Sequence, residues 1–171
     1  MIYYTSDLHF GHKNILKWEN RKCSTVDEMD KMLIDNWNSK VLENDEVYVL
    51  GDVSFYQKFD KNRELIQSLH GKKFLIKGNH DFGITKYCKD LFEKILPYME
   101  IKDENREVML FHYPIFNWNK QQYGTYHCYG HVHSNEEFQL NIKNSFNVGV
   151  DVNNYFPVTL DELIEKQNES F

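Results

Sequence analysis

Residues 73–81, KFLIKGNHD, place a short apolar run directly before a polar turn that begins with glycine. Residues 46–52, EVYVLGD, have the same form, and residues 2–7, IYYTSD, end in Ser-Asp. Runs of β-branched, aromatic and aliphatic residues that stop at turn-forming residues are typical of buried strands. The predicted strands are residues 2–5, 46–50 and 73–76.

Two segments with helical spacing lie between these three strands. Thr25–Glu28 has the form of a capping box, and apolar residues follow it at helical spacing as far as Trp37. Asp60 is a candidate N-cap for a second helix that extends to Leu69. Strands that alternate with helices favour a parallel sheet with helical crossovers.

The second half of the chain is richer in strands. Two apolar stretches flank the polar residues 102–106, which predicts a hairpin, and Thr159–Glu162 is a capping box that opens a last helix of roughly eight residues. The predicted strands of this half are residues 95–101, 107–111, 126–129, 138–142 and 146–150. We expect an α/β fold of two mixed sheets with helices outside, as a single domain over residues 1–171.

Composition and charge argue against several classes of protein. The 171 residues contain no run of about 18 apolar residues, so we expect no membrane span. The three cysteines have neither an even count nor zinc-type spacing, and we expect free thiols in a reducing compartment, hence a cytoplasmic protein. The net charge of −6 argues against binding of duplex nucleic acid through a basic surface.

Side chains that can bind metal ions follow five successive predicted strands. They are Asp7, His9, Asp52, Asn79, His112, His131 and His133. Ligands in sheets of this kind gather beyond the carboxyl ends of the strands, so these side chains should converge. A lone histidine at a strand end is usually a hydrogen-bonded surface residue, but that interpretation does not explain the ordered set.

The donor types indicate the class of metal site. Imidazole with carboxylate suits Zn, Fe, Mn or Ni, and the absence of a thiolate argues against a structural zinc site. Seven donors exceed what one ion needs, whereas two ions that share one carboxylate accommodate them. We therefore predict two divalent metal ions as cofactors, with Mn as the first choice and Zn, Fe or Ni as alternatives.

The motifs resemble, in their order, those of the calcineurin-like metallophosphoesterase family. They are Asp7-Leu-His9, Gly51-Asp52, Gly78-Asn79-His80-Asp81, His112 and Gly130-His131-Val-His133, and the strings SDLHFGHKNI and NVGVDVN resemble its compact bacterial and phage-type members. The resemblance implies a four-layer α-β-β-α sandwich of two mixed sheets flanked by helices. It also implies one ion held by Asp7, His9, Asp52 and His133, and a second held by Asp52, Asn79, His112 and His131, with Asp52 bridging.

The chemistry that the resemblance implies is hydrolysis of a phosphoester by a hydroxide that bridges the two ions. His80 resembles the family's catalytic histidine, which assists the leaving group; the alternative is a purely structural hydrogen-bonding role. Asp52 is the other residue assigned to catalysis. The chain has Val53–Phe55 where protein Ser/Thr phosphatases have Asp-Arg-Gly, so a phosphoprotein substrate is disfavoured. The third motif ends in Asp81, where the family more often has Glu.

Contacts to the substrate are less well defined by the sequence. His12 and Arg21 follow the first motif and could bind a phosphate, and the alternative for each is an exposed loop residue. Aromatic side chains near the motifs could stack a base, although core packing is their more common role. They are Phe10, Phe55, Tyr56, Tyr113, Phe116, Trp118 and Tyr123. We expect a small phosphodiester or nucleotide-like substrate; the alternatives are a nuclease for single-stranded or damaged ends and a non-catalytic metal-binding interaction scaffold.

Overall fold

The computed structural model describes residues 1–169 and contains two four-stranded sheets. The strands of the first sheet are β1 (Ile2–Thr5), β2 (Glu46–Val49), β3 (Lys72–Ile76) and β4 (Lys94–Leu96). They lie side by side in that order, and every neighbouring pair is parallel. Residues 170 and 171 of the predicted domain lie outside the described range.

Helices lie in the connections between the strands of the first sheet. They are α1 (Ile15–Trp18), α2 (Val26–Lys40), α3 (Phe59–Ser68) and α4 (Phe82–Tyr87). Thr25 caps α2, because its hydroxyl accepts a hydrogen bond from the Glu28 amide at 3.2 Å. The prediction that Asp60 caps α3 is wrong: the helix begins at Phe59, and Asp60 lies in its first turn, where a negative charge favours the helix dipole.

The second sheet is mixed, as expected, whereas the first is parallel throughout. Its strands are β5 (Tyr98–Asp103), β6 (Arg106–Phe111), β7 (Tyr126–Tyr129) and β8 (Ser145–Asn147). The β5–β6 hairpin is antiparallel, and the other two pairs are parallel. Single 3-10 turns are Lys89–Leu91, Gln121–Tyr123, Glu136–Phe138 and Val150–Val152. Helix α5 (Leu160–Asn168) follows, opened by the predicted capping box of Thr159 and Glu162.

Two predicted strands are wrong. Residues 95–101 do not form one strand, because Pro97 divides them and the chain passes there from the first sheet to the second. Residues 138–142 form no strand in the described structure. There the Leu140 amide donates to the Tyr129 hydroxyl at 3.0 Å, so this backbone is satisfied by a side chain instead of a neighbouring strand.

The two faces of the first sheet contribute to different cores, as the two-residue period of a strand requires. Val47, Val49 and Leu75 belong to a core shared with α2 and α3. Tyr48, Leu50 and Ile76 belong to a core shared with the second sheet, which contributes Val108, Leu110, Cys128 and Phe146. The predicted α/β fold of two packed sheets with helices is confirmed.

The carboxyl ends of the two sheets meet at one edge of the molecule. The Ser6 amide donates to the Val148 carbonyl, and the Val150 amide donates to the Ser6 carbonyl, both at 3.1 Å. These bonds join the segment after β1 to the segment after β8. The polar loops that follow the parallel strands of both sheets therefore lie together. No helix within residues 1–169 is long and apolar enough to cross a membrane.

Candidate metal centre

The loops that carry the predicted ligands have an unusual backbone conformation. The angle φ is 57° at Asp7, 54° at His9, 56° at Asp52, 71° at His131 and 48° at His133. A left-handed conformation costs about 1–2 kcal/mol for a residue with a side chain, and it persists where the surroundings impose it. The strain coincides with the donor side chains, which indicates that these loops are shaped to direct them.

The first donor group consists of Asp7, His9 and His133, whose ligand atoms lie within 4.8 Å of one another. The His133 Nε2 atom lies 4.0 Å from the Asp7 carboxylate. The opposite nitrogen, Nδ1, donates to Asp151 at 2.8 Å, which leaves Nε2 free to bind a cation. The Asp7 carboxylate is fully buried and accepts a hydrogen bond from the Ser6 hydroxyl at 2.6 Å.

The second donor group consists of Asp52, His112 and His131, and Asn79 lies among them. The Asn79 carbonyl oxygen lies 3.0 Å from His112 Nε2 and 3.1 Å from His131 Nδ1. His112 Nδ1 lies 2.6 Å from the Leu50 carbonyl, so Nδ1 carries the proton and Nε2 presents its lone pair to the group.

Asp52 connects the two groups. Its Oδ2 atom lies 3.7 Å from Nε2 of His9 and 3.7 Å from Nε2 of His112. Its Oδ1 atom accepts a hydrogen bond from the His80 amide at 2.9 Å, which fixes the carboxylate. The structure therefore brings all seven predicted ligands together, in the same two groups that the family resemblance implies.

The chemistry of the donors fits divalent cations. His9 Nε2 is buried and has no hydrogen-bond partner, a costly arrangement that a bound cation would relieve. Burial, assisted by the neighbouring His133, lowers the pKa of His9 to about 2, so its ring is neutral and can act as a ligand. Burial raises the pKa of Asp7 to about 6, because its anion lacks sufficient positive charge nearby.

Two glycines allow the ligand loops to approach one another. A Cβ atom on Gly78 would lie 2.3 Å from the Asp52 carboxylate. A Cβ atom on Gly130 would lie 2.3 Å from the Ser6 hydroxyl and 2.6 Å from the Asp7 carboxylate. Asn79 in the Gly-Asn-His-Asp motif, and His131 and His133 in the Gly-His-Val-His motif, can reach the donor groups because the first residue of each motif has no side chain.

Arg21 does not face the cleft. Its Nε and Nη2 donate to Asp151 at 2.7 and 3.0 Å, and its two Nη atoms donate to the Leu8 and Asp7 carbonyls at 2.8 Å. The remaining N–H contacts the Met29 sulfur at 3.4 Å. A guanidinium has five N–H donors, so Arg21 has none left for the expected contact with a phosphate. It holds the strained loop after β1.

Asp151 is a site residue that the sequence analysis missed. It follows β8 and accepts hydrogen bonds from both His133 and Arg21. Although burial alone would raise the pKa of Asp151, these two hydrogen bonds hold it below its usual value. The carboxylate therefore stays charged and orients the His133 ring. The rule that selected the predicted ligands, a polar side chain after a strand, also applies to this sixth strand end.

Asp81 has a related role, because it holds the loop after β2. Its carboxylate accepts hydrogen bonds from the backbone amides of Asp52, Val53 and Gly78 at 3.0, 2.9 and 2.7 Å. These bonds tie the loop after β2 to the loop after β3. Asp81 thus positions Asp52 without facing the donors.

His12, the predicted substrate contact, lies beside the two donor groups. It lines a cavity of about 270 Å³ together with Phe55, His80 and Trp18, and its ring stacks on Phe55 with centroids 4.0 Å apart. His12 Nδ1 lies 3.3 Å from His9 Nδ1. When His9 keeps its proton on Nδ1 so that Nε2 can bind a cation, His12 Nδ1 accepts that hydrogen bond. A neutral His12 then carries its own proton on Nε2 and is a donor.

The Arg21 contacts predict a large effect on stability. Arg21→Gln should lower the free energy of unfolding by about 3–5 kcal/mol, because it leaves the buried Asp151 carboxylate without its cation. For a chain of this size that corresponds to a melting temperature roughly 10 °C lower. The control is Arg63→Gln, which removes the ion pair of Arg63 with the exposed Asp90 and should change the melting temperature little. Similar shifts for the two variants would contradict the role of Arg21.

Comparison with known proteins identifies the family. The model of the calcineurin-like phosphoesterase family matches residues 1–168. An uncharacterized protein of Methanocaldococcus jannaschii is 41% identical over 173 residues, which cover 96% of this chain and 92% of that protein. The gene 66 protein of Mycobacterium phage L5 is 27% identical over 179 residues, with coverage of 87% and 86%.

A solved structure shares the same fold. The crystal structure of a protein of unknown function from Aquifex aeolicus superposes with a TM-score of 0.79 and 26% identity, covering 97% of this chain and 98% of that one. The family match extends over nearly the whole sequence and includes every strand-end loop described above. This chain belongs to the calcineurin-like phosphoesterase family.

Proposed function

We propose that this protein hydrolyses the phosphoester bond of a small phosphodiester or nucleotide-like molecule, with two divalent metal ions bound by the two donor groups. The observation that carries the proposal is the position of Asp52 Oδ2, 3.7 Å from an imidazole nitrogen of each group. A carboxylate placed in this way can serve two cations at once. Mn is the first choice of metal for these oxygen and nitrogen donors, and Zn, Fe and Ni are alternatives.

The protein residues around the centre have separate tasks in this proposal. When bound, the two ions supply a water molecule of lowered pKa and neutralise charge on the phosphoryl oxygens. Asp151 and the Leu50 carbonyl hold His133 and His112 with Nε2 directed inward. The ligands therefore need little rearrangement when a substrate arrives, and such preorganisation favours the transition state.

His80 has the position of a general acid for the leaving group. Its amide is bonded to Asp52, while its exposed ring lies 4.7 Å from the Phe55 ring in the cleft. Within residues 1–169 the ring nitrogens of His80 have no hydrogen-bond partner. The exposed ring is therefore available to transfer a proton to the leaving oxygen, which is the role we propose for it. His12 is the proposed second donor to the phosphate.

The surroundings of the centre favour a small substrate over a nucleic-acid strand. Two cavities adjoin the ligands, and no Lys or Arg occurs among the described residues that line either one. Proteins that bind single strands need a positively charged groove along the backbone. The nuclease alternative therefore has less support. The scaffold alternative predicts no turnover when phosphomonoesters, phosphodiesters and cyclic nucleotides are assayed with Mn, Ni, Zn and Fe.

The shared carboxylate predicts that both ions depend on Asp52. Elemental analysis of Mn-loaded protein should approach two equivalents per chain, and Asp52→Asn should bring the content below one because it removes the shared anionic ligand. Asp35→Asn is the matched control, since Asp35 is an exposed carboxylate of α2 that forms an ion pair with Lys31. One tightly bound equivalent that survives Asp52→Asn would contradict the bridged site.

Metal binding should also stabilise the fold. A ligand present at about 100 times its dissociation constant adds about 2.7 kcal/mol to the free energy of unfolding. Treatment with a chelator should therefore lower the melting temperature, and Mn should restore it. An unchanged melting temperature after confirmed loss of metal would show that the strained loops do not need the ions.

The proposed role of His80 predicts a dependence on the leaving group. His80→Asn should reduce turnover by about 10²–10⁴ for alkyl leaving groups, which require a proton, and less for nitrophenolate. Metal content and melting temperature should stay close to those of the wild type. His70→Asn, which changes a histidine bonded to the Val41 carbonyl away from the cleft, is the control. Full activity of His80→Asn on alkyl esters would refute the assignment.

A further inference from the structure

A second cavity adjoins the metal centre on the side of Tyr113 and Phe138. It encloses about 600 Å³ and shares His131, His133 and Glu19 with the smaller cavity that contains His80. Its volume is within the range that small-molecule ligands occupy. We call it the Tyr113–Phe138 cleft. The proposed phosphate position therefore opens into two separate spaces.

The walls of this cleft are aromatic and connected to the ligand loops. The Tyr113 ring lies 4.5 Å from the His131 ring at an angle of 63°. Phe138 ends a 3-10 turn that is fixed by the side chain of Asn135, which accepts a hydrogen bond from the Glu137 amide at 3.0 Å. Phe138 is 57% exposed and Tyr113 is 38% exposed, so both present ring surface to a ligand.

The side chains that line the cleft offer no cation of their own to a second phosphate. Glu19 lines the cleft, and its carboxylate is held by the Ser134 hydroxyl at 2.6 Å. Lys and Arg are absent from the described residues around it. A carboxylate without a cation repels an anion, whereas flat, uncharged rings stack on aromatic side chains. The chemistry fits a nucleobase or another aryl group.

We propose that the Tyr113–Phe138 cleft binds the base of the nucleoside that stays on the phosphorus, so that the substrate is a nucleoside phosphodiester. The inference rests on the proposed function and specifies its substrate. The leaving group occupies the cavity of His80. The oxygen of the attacking water forms a new bond to phosphorus as the P–O bond to the leaving oxygen breaks. The leaving oxygen takes a proton from His80, and the proton that the water loses returns to His80 through solvent. The product in the cleft is a nucleoside monophosphate.

The test compares two esters with the same leaving group. Thymidine 5′-(p-nitrophenyl phosphate) retains a nucleoside after cleavage, whereas methyl p-nitrophenyl phosphate retains only a methyl group. Phe138→Ala should lower kcat/KM for the thymidine ester about tenfold and for the methyl ester by about twofold or less, since the lost contact is a base stack. The control is Phe116→Ala, which removes another exposed ring, 77% exposed, that does not line the cleft.

Equal losses on the two esters, or no loss on either, would overturn the proposal. If the wild type hydrolyses neither ester, the proposed function fails, and a binding measurement then tests the inference about the cleft by itself. Titration calorimetry of the Mn-loaded protein would then use thymidine 5′-phosphate and inorganic phosphate as ligands. Phe138→Ala should weaken the binding of thymidine 5′-phosphate about tenfold and leave the binding of inorganic phosphate unchanged. Equal affinities of wild type and variant for thymidine 5′-phosphate would overturn the assignment.

Discussion

Arg21 lies where the loop after β1 meets the loop after β8, and its donors hold both. Two of its bonds fix the carbonyls of Asp7, which has a positive φ, and of Leu8, which lies between the positive-φ residues Asp7 and His9. Two others fix the Asp151 carboxylate. Asp151 in turn fixes His133. A residue that touches no substrate therefore determines where the donors of the first group stand. Without it, two carbonyls would lose a donor, and the buried Asp151 carboxylate would keep only its bond to His133.

The ligand loops store strain that the rest of the fold offsets. Five left-handed residues at about 1–2 kcal/mol each represent a sum comparable to the net stability of a whole domain. Two sets of hydrogen bonds oppose this strain: those of Arg21, and those that three backbone amides donate to Asp81. The donors are consequently directed at one point by the protein itself, and such preorganisation is what a catalytic site requires.

The sequence predicted which side chains come together because the rule it used is local. A β-prone run that stops at a polar residue identifies a strand end, and parallel topology then gathers those ends. The rule fails where the local sequence does not mark the end of a strand. Apolar residues continue on both sides of Pro97, although the chain passes there from the first sheet to the second. The Arg21–Asp151 pair joins residues 130 positions apart, so only the folded chain reveals it and corrects the expected phosphate contact of Arg21.

The charge around the predicted metal centre limits which phosphoesters it could distinguish. The chain is acidic, with a net charge of −6, and the described residues around both cavities include no Lys or Arg. In the proposed function, attraction for a phosphate would come from the bound cations and not from basic side chains. Discrimination would then depend on the groups esterified to the phosphorus and on the aromatic and acidic walls that meet them. A monoester would leave one of the two cavities empty, whereas the proposed diester would fill both, and the proton transfer proposed for His80 would decide which ester bond is cleaved.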